Sequence, residues 1–429
     1  MERERILKKL GVQETVLDNG FKILTKHIRG MKTVRTGIAA RFGSIYENDE
    51  INGIAHFFEH MLFKGTENRG QEDILGILDE LGGDSNAYTT WDNVFYYITT
   101  LNKYFPKAVD LLADLVLNPI FNKKDIETER GVILQEIAMH EDDPWNVADE
   151  LLYQGLYRKN PIRRKILGSA ENIERFSRQD FIKIHQEWYA VNNLFLVVVG
   201  GMNHREVVEQ TKKYFEDKIP GSIPVFAKVL DEPIRRKRII VKKPDLTEAK
   251  LFLGLRAPHF DNRDFYAMKV IASILGTGWT SRLKKEIREK RGWSYDTEAH
   301  CESSLVHSAL ITCTNLSNRK IREVEPIIIK ELNRLRNEKV PKDELKRHIN
   351  SLITDHIIYQ EKNRASFWFS QILEAEIRNY FEALIEGIRS FKKITQKDIL
   401  RVANEYLDAK NYVIAVVRGN SKSKALQKL

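Results

Sequence analysis

The stretch Asp180-Phe-Ile-Lys-Ile-His-Gln-Glu-Trp-Tyr-Ala-Val-Asn-Asn193-Leu-Phe-Leu-Val-Val-Val-Gly-Gly201 recurs in outline later in the chain. Its counterpart is Asp398-Ile-Leu-Arg-Val-Ala-Asn-Glu-Tyr-Leu-Asp-Ala-Lys-Asn411-Tyr-Val-Ile-Ala-Val-Val-Arg-Gly419, which aligns with the first copy without a gap. Both copies combine helical spacing of apolar residues, an asparagine, and an apolar run typical of a buried strand. The offset that pairs Asp180 with Asp398 also pairs Lys124-Asp125 with Lys342-Asp343. We infer a tandem duplication of one α+β domain.

Local patterns in the first half agree with this mixed class. An Asn19-Gly20 turn between two strand-like runs predicts a β-hairpin at residues 14–26. Further strands are predicted at residues 34–45, 93–101 and 194–199, and helices at 53–64, 71–81, 103–118 and 122–140. The most Pro/Gly-rich stretch between the two copies covers residues 220–233. The predicted domains are therefore residues 1–222 and 223–429.

The overall charge is basic but dispersed. The 429 residues include 69 Lys and Arg against 60 Asp and Glu, which gives a net charge of +9. Because the two signs are interleaved along the chain, we expect a solvated, salt-bridged surface and no nucleic-acid binding. Nucleic-acid binding is an alternative function that only the positive net charge suggests. A protein of that kind would bind DNA with a steep dependence on salt concentration. A charged fraction of 30% is typical of a thermophile.

The sequence shows no targeting signal and contains few cysteines, and both observations predict a cytoplasmic protein. The first residues are charged and contain no apolar core of a signal peptide. No stretch is long and apolar enough to span a bilayer, so no membrane partner is expected. Two cysteines, Cys301 and Cys313, are too few for a disulfide scaffold and are predicted to be buried thiols.

The segment Gly53-Ile-Ala-His56-Phe-Phe-Glu59-His60-Met-Leu-Phe-Lys64 carries a candidate metal site. His56 and His60 are four residues apart, so on a helix both imidazoles lie on one face and can bind one zinc ion. Glu59 lies beside them and could act as a general base toward water activated by the metal. The pattern His-x-x-Glu-His is that of the inverzincins. The surrounding residues are apolar, and burying this polar triplet is costly unless something binds it.

A third ligand is predicted on the helix at residues 122–140. Zinc sites of this kind take a further carboxylate and keep one position open. Glu129 and Glu136 are seven residues apart, two helical turns, so they point the same way. Glu136 lies among the apolar residues Val132, Ile133, Leu134 and Ile137. From the residues alone Glu136 is a candidate, because the sequence does not say that this helix packs on the first one.

This constellation resembles the pitrilysin and mitochondrial processing peptidase family of inverzincins. In that family the third ligand follows the second histidine at the same separation at which Glu136 follows His60 here. Family landmarks follow in family order along nearly the whole chain: Leu17–Gly20, Gly82–Thr89, Asp142–Pro144 and Ile166–Gly168. The resemblance implies a zinc metalloendopeptidase with one zinc per chain held by His56, His60 and Glu136. It further implies Glu59 as base and Glu129 as a supporting carboxylate; cobalt or manganese could replace zinc in vitro.

Two further sites follow from the same resemblance. Arg288 and Tyr295 are seven residues apart, as in the family's paired Arg and Tyr, which implies that Tyr295 binds the oxyanion and Arg288 a substrate carbonyl. Without the resemblance, the sequence would predict only that Arg288 lies on a solvated basic helix and that Tyr295 lies on the strand that follows. Asn86 and Ala87 match a position that grips an extended peptide by strand addition, although ordinary strand-entry residues would look the same.

The second half does not repeat the metal ligands. At the offset that relates the two copies, Glu129 corresponds to Arg347 and Glu136 to Thr354. The apolar stretch Ala267–Ala272 occupies the place of the His-x-x-Glu-His helix. We therefore expect the first half to bind metal and the second half to bind substrate.

The family resemblance also implies an assembly. Each chain would form half of a clamshell chamber from two similar α/β-sandwich domains, each a mostly antiparallel sheet with helices on one side. Substrates would be unfolded peptides or short unstructured segments. Because one chain carries both the zinc motif and the Arg/Tyr pair, a homodimer is expected; a heterodimer with an inactive sister chain is the alternative. A dedicated processing protease and a general peptide scavenger both fit, and a noncatalytic scaffold subunit is the rival from another class.

Overall fold

The computed structural model describes residues 2–224, 237–243, 246–408 and 410–419. The first part of the chain contains helices α1 (Glu2–Leu10), α2 (Ile54–Met61), α3 (Gln71–Leu81), α4 (Phe105–Leu117), α5 (Lys123–Asp142), α6 (Pro144–Leu156), α7 (Ala170–Arg175), α8 (Arg178–Trp188) and α9 (His204–Phe215). Its strands are β1 (Gln13–Val16), β2 (Lys22–His27), β3 (Thr33–Ala40), β4 (Asp84–Thr89), β5 (Val94–Leu101) and β6 (Leu194–Gly200).

The second part is also a mixture of helices and strands. Its helices are α10 (Phe265–Gly276), α11 (Ile321–Asn337), α12 (Lys342–Lys362), α13 (Arg364–Arg378), α14 (Glu382–Lys393) and α15 (Gln396–Tyr406). Its strands are β7 (Lys237–Lys242), β8 (Glu248–Arg256), β9 (Thr297–Ser303), β10 (Ser308–Ser317) and β11 (Val413–Arg418). Among the described residues, no helix is both long enough and apolar enough to cross a membrane.

Two open sheets organise the chain. The first has the strand order β1-β2-β6-β3-β5-β4 and the second β7-β11-β8-β10-β9. In each sheet one pair is parallel, β2 with β6 and β7 with β11, and the other pairs are antiparallel. The predicted mostly antiparallel sheets are therefore confirmed, as is the hairpin of β1 and β2.

The duplication is visible in the elements themselves. Helix α8 and strand β6 match α15 and β11 at the offset found in the sequence, and both helices begin and end at equivalent positions. Both also start with the same capping box, in which Asp180 bonds back to Ser177 and Asp398 to Thr395. In each half the apolar strand that follows becomes a central strand of its sheet. The predicted tandem duplication is confirmed.

The chain divides into two compact units, each made of discontinuous segments. One contains Met1–Ile137, Arg164–Ala227 and Ile358–Ile385, and the other Ala138–Arg163, Lys228–Ile357 and Glu386–Leu429. The first unit thus includes α13, and the second includes α6. The domain division at residues 222 and 223 stays a prediction, because most of the proposed joint, residues 225–233, lies outside the described residues.

Helices cover more of each sheet than the sequence predicts. The expected layer lies on one face of the first sheet, where α2 and α4 pack on its strands. Helix α13 contacts β6 and β3 and, with α1, builds a second apolar cluster. Gly37 of β3 permits this approach, since a Cβ there would lie 2.5 Å from the Phe369 ring. In the second unit α6 contacts β11 and β8 while α10 and α15 line the other core.

The two cysteines lie on opposite faces of the second sheet. Cys301 is opposite Leu310 across β9 and β10, whereas Cys313 lies three residues further along β10 and points the other way. Burial raises the pKa of each thiol to about 12, so both stay protonated at neutral pH. Cys313 is buried as predicted, and Cys301 is only partly buried.

A buried carboxylate ties α13 to the first sheet. Glu376 accepts hydrogen bonds from Lys22 Nζ at 2.8 Å and Arg41 Nη2 at 2.5 Å, and it also pairs with Arg3. Its side chain is 1% exposed. Burial disfavours the charged carboxylate, but the three cations outweigh burial and lower the pKa of Glu376. The ionised form is therefore the stabilising one.

We predict that Glu376→Gln lowers the free energy of unfolding by about 2–3 kcal/mol at neutral pH, because three cations lose their buried partner. Because the pKa of Glu376 is lower in the folded protein than its ordinary value of 4.5, the ionised carboxylate stabilises the fold above pH 4.5. This stabilisation is lost as the pH falls through the pKa that Glu376 has in the folded protein. The difference between variant and wild type should therefore shrink below pH 4.5 in denaturant titrations. Glu374→Gln on the same helix is the control, because Glu374 is only partly buried and, among the described residues, pairs with Arg378 alone; equal effects would contradict the assignment.

Candidate metal centre

Helix α2 is fixed at its amino-terminal end by a buried glutamate. The helix follows Gly53, whose φ of 100° is readily adopted only by glycine. The Glu47 carboxylate accepts hydrogen bonds from the backbone N–H groups of Gly53 (2.9 Å) and Ala55 (2.8 Å) and from Asn52 Nδ2 (2.8 Å). Burial raises the pKa of Glu47 to about 7, although these bonds act against the rise. Sequence reasoning missed Glu47, which lies too far before the helix to be an ordinary cap.

The three predicted ligands converge. Helix α2 carries His56 and His60, and α5 carries Glu136; one ligand atom from each lies within 4.8 Å of the others. The carboxylate oxygen Oε2 of Glu136 is 3.8 Å from His56 Nε2 and 3.7 Å from His60 Nε2. Ligands at about 2.0–2.1 Å from a tetrahedral ion are roughly 3.3 Å apart, so these separations are a few tenths of an ångström wider. No other group of this kind occurs in the part of the chain that the structure describes.

Burial and charge suit a cation at this point. His56 is buried and half-buried His60 lies beside it, with ring centroids 4.6 Å apart. Burial, helped by His60, lowers the pKa of His56 to about 3, so the ring is neutral and able to donate a lone pair. Nδ1 of His56 is buried and has no hydrogen-bond partner among the described residues. Two imidazole nitrogens and one carboxylate are the donors that a catalytic zinc takes, so the residues fit the metal.

Glu136 is less enclosed than its neighbours in sequence suggest. Its side chain is 40% exposed, and Val132 on the preceding turn is 45% exposed. The predicted apolar setting is therefore only partly present, because one side of α5 faces away from the core.

A second carboxylate supports His60. Glu129, buried on α5, accepts from His60 Nδ1 at 2.8 Å through Oε1 and pairs with Lys64 Nζ at 2.5 Å through Oε2. This bond fixes the His60 tautomer that presents Nε2 to the metal. Burial would lower the pKa of His60, but Glu129, Glu59 and Glu136 outweigh it and raise that pKa. Lys64 was missed by sequence reasoning, although it lies one turn after His60.

The candidate base is held from a neighbouring strand. Glu59 Oε2 accepts a 2.6 Å hydrogen bond from the hydroxyl of Thr89, at the end of β4. Burial raises the pKa of Glu59, and the bonds from Thr89 act in the opposite direction. This hydrogen bond orients the Glu59 side chain. Glu59 directly precedes the candidate ligand His60 in the sequence.

Strand β4 also carries the predicted peptide-binding residues. Asn86 and Ala87 lie opposite Tyr97 and Tyr96 of β5. Among the described strands, β5 is the one partner of β4, which makes β4 the edge of the sheet. The side chain of Asn86 accepts from the Ala87 N–H at 2.9 Å. An edge strand with such groups can add a further strand.

Arg288 and Tyr295 lie together in the second unit. The Arg288 guanidinium lies 5.0 Å from the centre of the Tyr295 ring and 5.6 Å from that of Trp279. Tyr295 is 83% exposed and Trp279 is 76% exposed, so both rings are open to a ligand. Arg288 belongs to a π-helical turn, Lys284–Glu289, rather than to a regular α-helix. Trp279 was not identified from the sequence.

Comparison with known proteins identifies the family. Residues 22–170 match the model described as insulinase (peptidase family M16), and residues 175–352 match the peptidase M16 inactive domain. An uncharacterized zinc protease of Rickettsia felis is 32% identical over 348 residues, which cover 81% of this chain and 83% of the relative. The chain belongs to peptidase family M16. The resemblance to the pitrilysin family, drawn from the motif, is confirmed.

Solved structures of proteases share the fold. A protease from Helicobacter pylori has a TM-score of 0.89 at 23% identity, covering 95% of this chain and 99% of that one. The periplasmic protease PqqL from Escherichia coli has a TM-score of 0.80 at 17% identity, covering 98% of this chain and 48% of that one. At these identities the likeness shows the fold alone. The Rickettsia relative is named a zinc protease, so this chain is an M16 protein similar to proteins of that name.

We predict that Glu129→Ala weakens zinc binding about 10- to 100-fold, because His60 loses the partner that orients it. Zinc dissociation constants would be measured by competition with a chromophoric chelator. Glu127→Ala, an exposed change on the same helix, is the matched control and should bind zinc as the wild type does. Unchanged affinity in Glu129→Ala would contradict the supporting role.

Proposed function

We propose that the protein is a zinc-dependent endopeptidase with one zinc per chain, held by His56, His60 and Glu136. The observation that carries the proposal is the convergence of two imidazole nitrogens and a carboxylate oxygen next to a separately oriented glutamate. When bound, zinc would polarise the scissile carbonyl and promote the ionisation of water. Membership of family M16 and the names of its relatives support this reading.

Glu59 is the general base in this proposal. Its carboxylate lies beside the ligands, and burial raises its pKa toward the range in which a base works near neutral pH. Glu59 accepts a proton from the attacking water and later passes it to the leaving amine. His60 and Glu136 both interact electrostatically with Glu59, which supports a base that acts close to the ligands.

The remaining predicted residues act on the substrate. An extended peptide pairs with β4 at Asn86 and Ala87, which reads backbone rather than side chains. Tyr295 donates a hydrogen bond from its hydroxyl to the developing oxyanion, and Arg288 binds the next carbonyl. Backbone pairing of this kind requires an extended chain, so the substrates are unfolded peptides or short unstructured segments.

The peptide chamber is proposed to form from two copies of the chain, in the cytoplasm. The relative PqqL has a chain about twice as long, since the match covers 98% of this chain and 48% of that one. This chain also carries both the metal motif and the Arg288/Tyr295 pair. A homodimer therefore supplies a complete chamber without an inactive sister chain.

The endopeptidase proposal is tested with quenched, unstructured peptides. Wild-type protein should cleave them, lose activity to a chelator and regain it with zinc. Glu59→Gln should retain zinc affinity and lose about 10²- to 10⁴-fold in kcat, the size of a general-base contribution. Cleavage at the wild-type rate by a pure Glu59→Gln preparation would remove Glu59 from its role.

A noncatalytic scaffold is the second candidate, because residues 175–352 match a domain described as inactive. Folded, zinc-loaded protein that cleaves no peptide in the panel would favour it. The metal ligands argue for catalysis, since a scaffold has no use for an oriented base beside them.

We predict a dimer at micromolar concentration, with a sedimentation mass about twice the chain mass of 50.0 kDa. Sedimentation velocity of the wild type, with and without zinc, is the measurement. A monomer that retains full peptidase activity would contradict the two-chain chamber.

A further inference from the structure

The hydroxyl of Thr89 makes a short contact to the candidate base. Thr89 Oγ1 donates to Glu59 Oε2 at 2.6 Å, within the range of a charge-assisted hydrogen bond between a hydroxyl and a carboxylate. Thr89, on β4, therefore holds the carboxylate from a different element of the fold than α2.

The ladder of β4 and β5 shows which backbone groups of β4 are free. Thr90 N–H donates to Asn93 C=O at 2.8 Å, so the N–H of Thr90 points across the turn, toward the side of β5. Pairs alternate along an antiparallel ladder, and therefore Tyr88 and Asn86 bond to β5. Ala87 and Thr89 direct their N–H and C=O groups away from β5, toward the free edge.

The side chains follow the same alternation. Ala87 is 6% exposed and packs in the main core of the first unit, on the face that α2 covers. Thr89 is two residues on, so its hydroxyl points to that face as well, about 7 Å along the strand. Strand β4 therefore has free backbone groups at Ala87 and, two residues later, a hydroxyl on Thr89 that binds Glu59.

We propose that Thr89 is a positioning residue that keeps Glu59 in register with a peptide paired to the edge of β4. The inference rests on the proposed endopeptidase function and adds to it a physical link between substrate pairing and the base. Because both contacts belong to one strand, a peptide that pairs at Ala87 has its backbone at a fixed spacing from the carboxylate. The local bond from Ala87 N–H to the Asn86 side chain is the one that the peptide would replace.

Three variants separate this role from a structural one. Thr89→Val replaces the hydroxyl by a methyl of similar shape, and Thr89→Ser keeps the hydroxyl. Thr100→Val is the matched control, because its buried hydroxyl on β5 donates to Leu81 C=O at 2.7 Å and does not contact Glu59. All three should retain zinc affinity and cooperative unfolding.

We expect Thr89→Val to lower kcat about 10- to 100-fold, the cost of a misplaced catalytic group, with KM unchanged. Thr89→Ser should recover most of the rate, and Thr100→Val should not lose it. In a Glu59→Gln background, Thr89→Val should cause no further loss, because Thr89 acts only through Glu59.

The contrary outcomes are distinct. If the wild type cleaves peptides and Thr89→Val cleaves them equally fast, the positioning role of Thr89 is wrong and the endopeptidase function still holds. Equal losses in Thr89→Val and Thr89→Ser, or a further loss in the Glu59→Gln background, also overturn it and indicate a structural role. A wild type without chelator-sensitive cleavage overturns the endopeptidase function, and with it this inference.

Discussion

The packing of helix α2 against helix α5 is the contact on which the candidate site depends. It brings two imidazole nitrogens of α2 to within 3.8 Å of a carboxylate oxygen of α5. His56 is buried, and a buried polar group is costly unless it finds a partner. A divalent cation would provide a common partner for all three, and the neutral state of His56 is the state that binds one.

Support for this contact comes from residues outside the motif. Glu47 binds the first N–H groups of α2, Glu129 orients His60, and Thr89 orients Glu59. Each reaches the helix from a different segment of the first unit, so the helix is fixed at its start and in its last turn. Such a shell holds reacting groups to the tolerance that catalysis needs.

Duplication allowed the two halves to diverge in chemistry while keeping the fold. Helix α10 stands in the second half where α2 stands in the first, and it is apolar and buried along nearly its whole length. Without ligands to hold, that helix contributes to stability through packing alone. In the second unit the Arg288 guanidinium lies against the rings of Tyr295 and Trp279, which are both exposed.

Spacing in the sequence predicted those parts of the site that lie on one element. His56, Glu59 and His60 share a helix, so their proximity follows from helical geometry. Glu136 required the family spacing, because only tertiary packing brings α5 to α2. Lys64 and Thr89 were missed for the same reason, since their roles exist through contacts to Glu129 and Glu59.

The fold shows the same limit. Repeat and strand patterns predicted two related α+β halves, yet α13 on the far face of the first sheet was not predicted. Its position depends on a long-range fit, in which Gly37 admits Phe369 and Glu376 meets three cations from other elements. No local pattern in residues 364–378 carries that information.

The most direct test of the metal site is anomalous diffraction at the zinc edge from crystals of the zinc-loaded protein. We predict one zinc per chain at about 2.0–2.2 Å from Nε2 of His56, Nε2 of His60 and a carboxylate oxygen of Glu136. Zinc bound elsewhere, or none at these residues in protein that cleaves peptides, would contradict this assignment.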